Sequence, residues 1–209
     1  RRQRMDYIGV KVVDETGAIT GELRFIGLFT SKAYMAPASE IPLLHRKLDA
    51  ILRAEDLFEG SHDYKTAVFL FESFPKDELF AASVDALRAA VVSLLDLQER
   101  EHVRLLVRQD MRARLVTLLV ALPRDRFNAD LRKRIQALFA ERCNADHVDA
   151  QVSLADSDRA QIHYTVHCKG EIPPLSIHEL EREVVALTRT WDDRLLERLI
   201  AEHGEARGR

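Results

Sequence analysis

The sequence predicts an α+β protein: an N-terminal β-hairpin, a helical segment, and then a four-stranded antiparallel sheet with two helices on one face. Three observations carry this. Ile8, Val10 and Val12 alternate with Gly9 and Lys11, which is the period of a strand. Between residues 36 and 101 the apolar residues recur at helical spacing instead. From Val103 onward the periods run strand, strand, helix, strand, strand, helix, an order ββαββα that folds as a two-layer sandwich.

Each element has a local reason. Asp14-Glu15-Thr16-Gly17 supplies turn chemistry between the first strand and a second over 23–29. Ser39 is placed to cap a helix carrying Leu44, Leu48, Ile51 and Leu52 on one face, and Gly60-Ser61 breaks it. A second helix over 64–74 sets Ala67, Val68, Phe71 and Phe74 at helical spacing, and Pro75 stops it. A long helical stretch follows with a restart at Ser83, striped by Val84, Leu87, Val91, Leu94 and Leu95.

After Gln98-Glu99-Arg100-Glu101 the period changes to 2. Val103, Leu105 and Val107 alternate with Arg104 and Arg108, and a turn falls within 109–113. Residues 115–122 form an almost continuous apolar run, which fits a central strand buried on both faces. Asn128 caps a helix with Leu131, Ile135, Leu138 and Phe139 inward. Two half-buried strands follow, one through Val148, Ala150, Val152 and Leu154, the next through Ile162, Tyr164, Val166 and Cys168. Pro173-Pro174 ends the sheet, and Ser176-Ile177-His178-Glu179 reads as a capping box. The helix it opens is expected to reach about Gly204, with Trp191, Leu195 and Leu199 on its stripe. That is roughly 40 Å, longer than the sheet beneath it.

Composition narrows the function. Basic and acidic residues are interleaved around a net charge of −3, so no electrostatic footprint for nucleic acid or an anionic membrane emerges. No run approaches the roughly 20 apolar residues that span a bilayer. Cys143 and Cys168 read as reduced thiols, as expected of a cytoplasmic protein. The start at Arg1-Arg2-Gln3-Arg4 and the polar end at Gly204-Glu205-Ala206-Arg207-Gly208-Arg209 suggest a piece of a longer polypeptide.

The candidate chemistry-bearing residues point to surfaces more than to a reaction. His163 and His167 resemble a metal pair, but on a strand that spacing separates them by about 13 Å. No G-x-G-x-x-G, G-x-x-x-x-G-K-[ST] or G-x-S-x-G motif occurs. No cofactor, metal or catalytic residue is therefore expected within the chain. The sheet face opposite the two helices should display Arg104, Arg108, Gln151, His163, Thr165 and His167, and an open face needs a cover. Another domain, a second subunit or an anionic effector could supply it. Replacing Arg104 and Arg108 is thus expected to alter assembly and leave melting nearly unchanged. Arg124-Asp125-Arg126, at the strand-to-helix junction, reads first as a local ion pair. Its guanidinium forks also suit an amino-acid carboxylate.

Read together, six short elements resemble a known family. They are Gly27-Leu28-Phe29-Thr30-Ser31-Lys32-Ala33-Tyr34, Ser61-His62-Asp63, Phe74-Pro75-Lys76-Asp77-Glu78-Leu79-Phe80, Val107-Arg108-Gln109-Asp110, Leu122-Pro123-Arg124-Asp125-Arg126-Phe127 and Thr190-Trp191-Asp192-Asp193. In this order they are similar to the non-catalytic N-terminal half of the very large bacterial NAD-dependent glutamate dehydrogenases. The resemblance implies ACT-like and PAS-like domains with helical segments between them, although ββαββα differs from the strict ACT order βαββαβ. It divides the chain into a hairpin at 1–35 ending a PAS-like or preceding domain, a helical segment at 36–101, and an ACT-like domain at 102–209.

It further implies a cytoplasmic homo-oligomeric enzyme that converts L-glutamate, NAD and water to 2-oxoglutarate, ammonia and NADH. NAD would be bound elsewhere in that polypeptide. This segment would support assembly and allosteric control, with other domains of the same polypeptide and an amino-acid effector as partners. The alternative is a free-standing ACT-like module for amino-acid sensing or protein interaction.

Overall fold

The structure is a computed structural model that describes residues 5–96, 103–111, 113–153, 159–189, 195 and 198–200. Strands β1 (Asp6–Val13) and β2 (Ile19–Gly27) pair antiparallel as the hairpin. Asp14 builds its turn: one carboxylate oxygen accepts from the Thr16 amide at 2.8 Å and the Ala18 amide at 3.0 Å. Gly17 takes φ +85, a conformation that suits glycine.

Five helices follow. They are α1 (Ser31–Met35), α2 (Pro42–Ala54), α3 (His62–Ser73), α4 (Lys76–Ala81) and α5 (Val84–Leu95). Ser61 and Ser83 cap α3 and α5, so the restart expected at Ser83 is present. Ser39 does not cap α2. It lies in a 3₁₀ turn (Ala38–Glu40), and α2 starts at Pro42, whose fixed φ suits the first helical position.

Two buried-end contacts hold this helical unit together. The Glu72 carboxylate accepts from the amides of Ala38 at 2.6 Å and Ser39 at 2.8 Å, closing the start of the 3₁₀ turn. Those amides help hold the carboxyl below the usual carboxylate range, although burial opposes them. At the other end, Lys47 Nζ donates to the carbonyls of Leu79 at 2.7 Å, Phe80 at 3.1 Å and Ala82 at 2.7 Å. A single ammonium thus satisfies the carbonyls that α4 leaves open at its C-terminus.

The second sheet contains β3 (Arg104–Asp110), β4 (Leu115–Pro123), β5 (Ala145–Ser153) and β6 (Arg159–Cys168), in the spatial order β3-β4-β6-β5 and antiparallel throughout. Helices α6 (Ala129–Arg142) and α7 (Ile177–Thr188) lie on one face. They bury Leu131, Ile135, Phe139, Leu180 and Val184 against Leu118, Val120, Ile162, Tyr164 and Val166. Tyr164 is fully buried and donates its hydroxyl to the Arg132 carbonyl at 3.0 Å. Cys143 and Cys168 are free and buried in this layer, and burial pushes the Cys143 thiol up to about 11.

The other face is covered as well. Leu119 and Ala121 of β4 join the core of α2, α3, α4 and α5, with Leu106 packed against it. The α+β sandwich therefore has three layers, with the sheet in the middle. β4 is buried over nearly its whole length because helices lie on both sides of it.

The last helix is shorter than its pattern suggests. α7 ends at Thr188, and Arg189 turns extended at φ −62, ψ 128. The Thr188 hydroxyl donates to the Val185 carbonyl at 2.8 Å, a local bond that competes with the helical ladder. Residues 195 and 198–200 are helical again. The single 40 Å helix is thus corrected to a twelve-residue one that ends at Thr188. Trp191, the Thr190-Trp191-Asp192-Asp193 element, Leu154 and the terminal segments lie outside the described residues.

Lys47→Met keeps the apolar stem and removes the ammonium from three carbonyls. It should lower stability by about 2 kcal/mol, read as an earlier urea midpoint at unchanged slope. An unmoved midpoint would mean that water serves those carbonyls equally well.

Candidate regulatory interface

The sheet face predicted to need a cover receives most of it from the chain's own helices. Register places Arg104, Leu106 and Arg108 of β3 on this face, with Thr117, Leu119 and Ala121 of β4 opposite them. Gln161, His163 and Thr165 of β6 continue the same rows. Arg108 donates two hydrogen bonds to Glu78 of α4, Nε to Oε1 at 2.6 Å and a terminal nitrogen to Oε2 at 2.7 Å. Both side chains are largely withdrawn from water, at 24% and 12% exposure, so solvent screening is reduced. Ser73 of α3 donates to Gln161 Oε1 at 2.9 Å across the same seam.

His163 lies beneath Phe74 with ring centroids 5.3 Å apart, edge to face. It is only 3% exposed, and neither ring nitrogen has a hydrogen-bond partner. Burial pushes the imidazole down to about 4, so it is neutral at ordinary pH. The sequence pattern placed this ring at a solvated or interface position. The structure buries it between sheet and helices, because Phe74 at the end of α3 closes over it.

Arg104 is half exposed to solvent and lies 3.9 Å from Glu181 of α7, with its Nε buried and unpartnered. Glu181 also accepts from the Leu105 amide at 3.2 Å, engaging a main-chain donor of β3. His167 sits at the far end of the face, partly exposed, opposite His147 of β5 with rings 6.3 Å apart. His147 lies 3.1 Å from Asp149. Here the β5 side of the sheet stays open, with His147, Asp149 and Gln151 exposed. Among the described residues no group of three His, Cys, Asp or Glu side chains is arranged to hold a metal ion.

Arg124 and Arg126 occupy a 3₁₀ turn between β4 and α6. Arg124 is exposed and Arg126 partly so, and Arg126 has an interaction of its own. Asn128 caps α6 by accepting from the Leu131 amide at 2.8 Å. This strand-to-helix junction carries Pro123 and Phe127 where a dinucleotide site needs glycines for close approach of the phosphates. The residues do not fit NAD. Among the described helices none is long and apolar enough to cross a membrane.

What sequence reasoning missed is the role of α4, a six-residue helix inside the helical stretch expected after Pro75, which binds residues from the segment after the hairpin, the helical unit and the sheet. Tyr34 donates to Asp77 at 2.8 Å, and Phe29 stacks on Phe80 with centroids 5.1 Å apart. Lys76 reaches Glu72 at 3.4 Å, Glu78 holds Arg108, and Lys47 holds the carbonyl end. Three charged residues, Lys76-Asp77-Glu78, run straight into Leu79-Phe80, but only the fold shows where each side chain reaches.

The sheet and its flanking helices define the class: an ACT-like regulatory sandwich with a helical unit on its second face. Residues 104–192 match the family model for the ACT2 domain of glutamate dehydrogenase, and residues 41–100 match that family's helical motif 1. The NAD-specific glutamate dehydrogenase of Halomonas elongata is 35% identical over 201 residues, covering 96% of this chain and 12% of the relative. That of Pseudomonas aeruginosa is 28% identical over 207 residues, covering 97% and 13%. The Mycobacterium tuberculosis protein of the same name is 28% identical over 189 residues, covering 84% and 12%. The chain belongs to the glutamate dehydrogenase family and spans about an eighth of the length of these relatives.

Two measurements test the seam. Arg108→Met and Glu78→Gln should each destabilise the chain, with a coupling of about 2 kcal/mol in a double-mutant cycle. Additive effects would argue that the pair is merely solvated. This replaces the expectation that Arg108 could be removed without loss of melting stability.

Acid should also loosen the seam through His163. Above pH 6.5 both folded and unfolded chains carry it neutral. As pH falls from 6.5 to 4, the unfolded chain gains a proton that the folded one refuses. About 3 kcal/mol of stability should drain away over that window. His163→Leu should remove that part of the slope and leave Tm at pH 7 equal or higher, since no hydrogen bond is lost. An identical slope in the variant would sink the assignment.

Proposed function

We propose that this chain is a non-catalytic regulatory and assembly segment of a large NAD-specific glutamate dehydrogenase, the enzyme that turns L-glutamate, NAD and water into 2-oxoglutarate, ammonia and NADH. The observation that carries it is the clasp at α4. Charged side chains that an active site would hold free are instead spent on tying the helices to one another and, through Arg108, to the sheet. Glu78 and Arg108 bind each other, Lys47 binds carbonyls and Glu72 binds amides. Such an arrangement suits a segment that holds units in a fixed relation.

In this reading the enzyme is a cytoplasmic homo-oligomer, and NAD is bound by a part of the polypeptide outside these residues. Residues 1–35 belong with a neighbouring domain. The open β5 side of the sheet, with His147, Asp149 and His167, is where another domain, subunit or amino-acid effector is received. Arg124 and Arg126 are a second place for a carboxylate.

Glu78→Gln in the full-length enzyme should leave turnover at saturating glutamate and NAD within about twofold while changing the subunit association or the response to amino acids. Loss of turnover in a folded, correctly assembled variant would overturn a purely regulatory role. Calorimetric titration of the chain with amino acids separates sensing from scaffolding. Heat that disappears in Arg124→Ala/Arg126→Ala or in His147→Ala locates an effector, and silent titrations with unmoved melting leave assembly alone.

A further inference from the structure

An open sheet has two edges, and each presents main-chain donors and acceptors to whatever strand comes near. In the order β3-β4-β6-β5 those edges are β3 and β5. Each is met by one side chain from a helix of the layer above. On β3, Glu181 of α7 accepts from the Leu105 amide at 3.2 Å. On β5, Gln136 of α6 donates from Nε2 to the Val148 carbonyl at 3.2 Å. The polarity is right at both places, an acceptor for the N–H and a donor for the C=O.

The Glu181 contact is held against a strong competitor. Arg104 lies beside it with Nε buried and unpartnered, and a guanidinium fork is a carboxylate's best partner. Yet the two stand 3.9 Å apart while the carboxylate keeps to the amide. Both side chains are also firmly mounted. Leu180 and Val184 seat α7 in the core around Glu181, and Ile135 and Phe139 seat α6 around Gln136. A strand added to either edge would run about 4.8 Å from it, through the space these side chains occupy. β5 carries two further obstacles: a register irregularity between Ala145 and His147, and the exposed carboxylates of Asp146 and Asp149.

We infer that Glu181 and Gln136 close the sheet at both edges against strand addition, so that copies of this chain associate through faces and helices and not by running one sheet into another. This narrows the assembly role proposed above and rests on it for the partner, a second copy. Strand alternation gives the reporters. The amides of Val107 and Gln109 point the same way as that of Leu105, and the Ala150 amide the same way as the Val148 carbonyl.

Amide hydrogen exchange of the 209-residue chain over a range of concentrations tests this. In the native chain the three edge amides should exchange at rates that do not depend on concentration. In Glu181→Ala/Gln136→Ala they should slow by about 10-fold or more as concentration rises, because strands then pair across copies. Both positions are helical and only partly buried, so alanine suits them, and unchanged protection of the β4 amides reports an intact fold. Glu181→Gln keeps an acceptor oxygen and should leave exchange on β3 as in the native chain. Slowing with concentration in the native chain overturns the proposal, and so does a folded double variant that shows none. If the double variant loses β4 protection, Gln136→Ala alone decides, read at Ala150 by the same criterion. Exchange is read without turnover, so failure here is distinct from failure of the regulatory reading.

Discussion

The structure depends on closing both faces of one sheet. β4 is apolar on both sides, and a strand of that kind is stable only where two layers meet over it. α6 and α7 provide one layer. The other comes from the helices that precede the sheet in sequence, and the Arg108–Glu78 pair sets how they sit. Two parallel hydrogen bonds from a planar guanidinium fix both the distance and the angle of approach, which apolar contact alone leaves loose. Leu106, Leu119 and Ala121 add burial along the same seam, and Phe74 shuts its edge over His163.

That pair is effective because α4 is held from several directions. A six-residue helix has little stability of its own. Here its carbonyl end is capped by Lys47, its core residue Leu79 is fully buried, and Asp77 and Phe80 receive Tyr34 and Phe29. The segment leaving the hairpin, the helical unit and the sheet thus share one small element. A shift of any of the three would disturb the contacts of the other two at α4.

Much of this was legible in the sequence, for definite reasons. Period and turn chemistry located the strands, and Asn128 and Ser83 marked helix starts by side-chain caps that act within three residues, whereas Ser61 read only as a break and proves to be the cap of α3. The polar face was found from alternation, which needs no tertiary knowledge. What covers that face was not legible, because Arg108 and Glu78 are 30 residues apart and no local rule joins them. The apolar run 115–122 held a hint: it asked for two covered faces when ββαββα offered helices for one. His163 was misjudged for the same reason, since strand alternation gives the side of the sheet and is silent about what lies over it. The end of α7 escaped because Val184 and Leu187 continue a helical stripe up to Thr188, where a hydroxyl diverts the ladder.

The shared β4 layer also bears on where this protein can be divided. The two family matches meet between residues 100 and 104, a natural place to cut by sequence. In three dimensions the two matched units share one hydrophobic core across β4. Separating the units would strip Leu119 and Ala121 of their cover and leave His163 facing water beside an apolar strip. The unit that melts and folds is therefore larger than either unit that sequence comparison delimits.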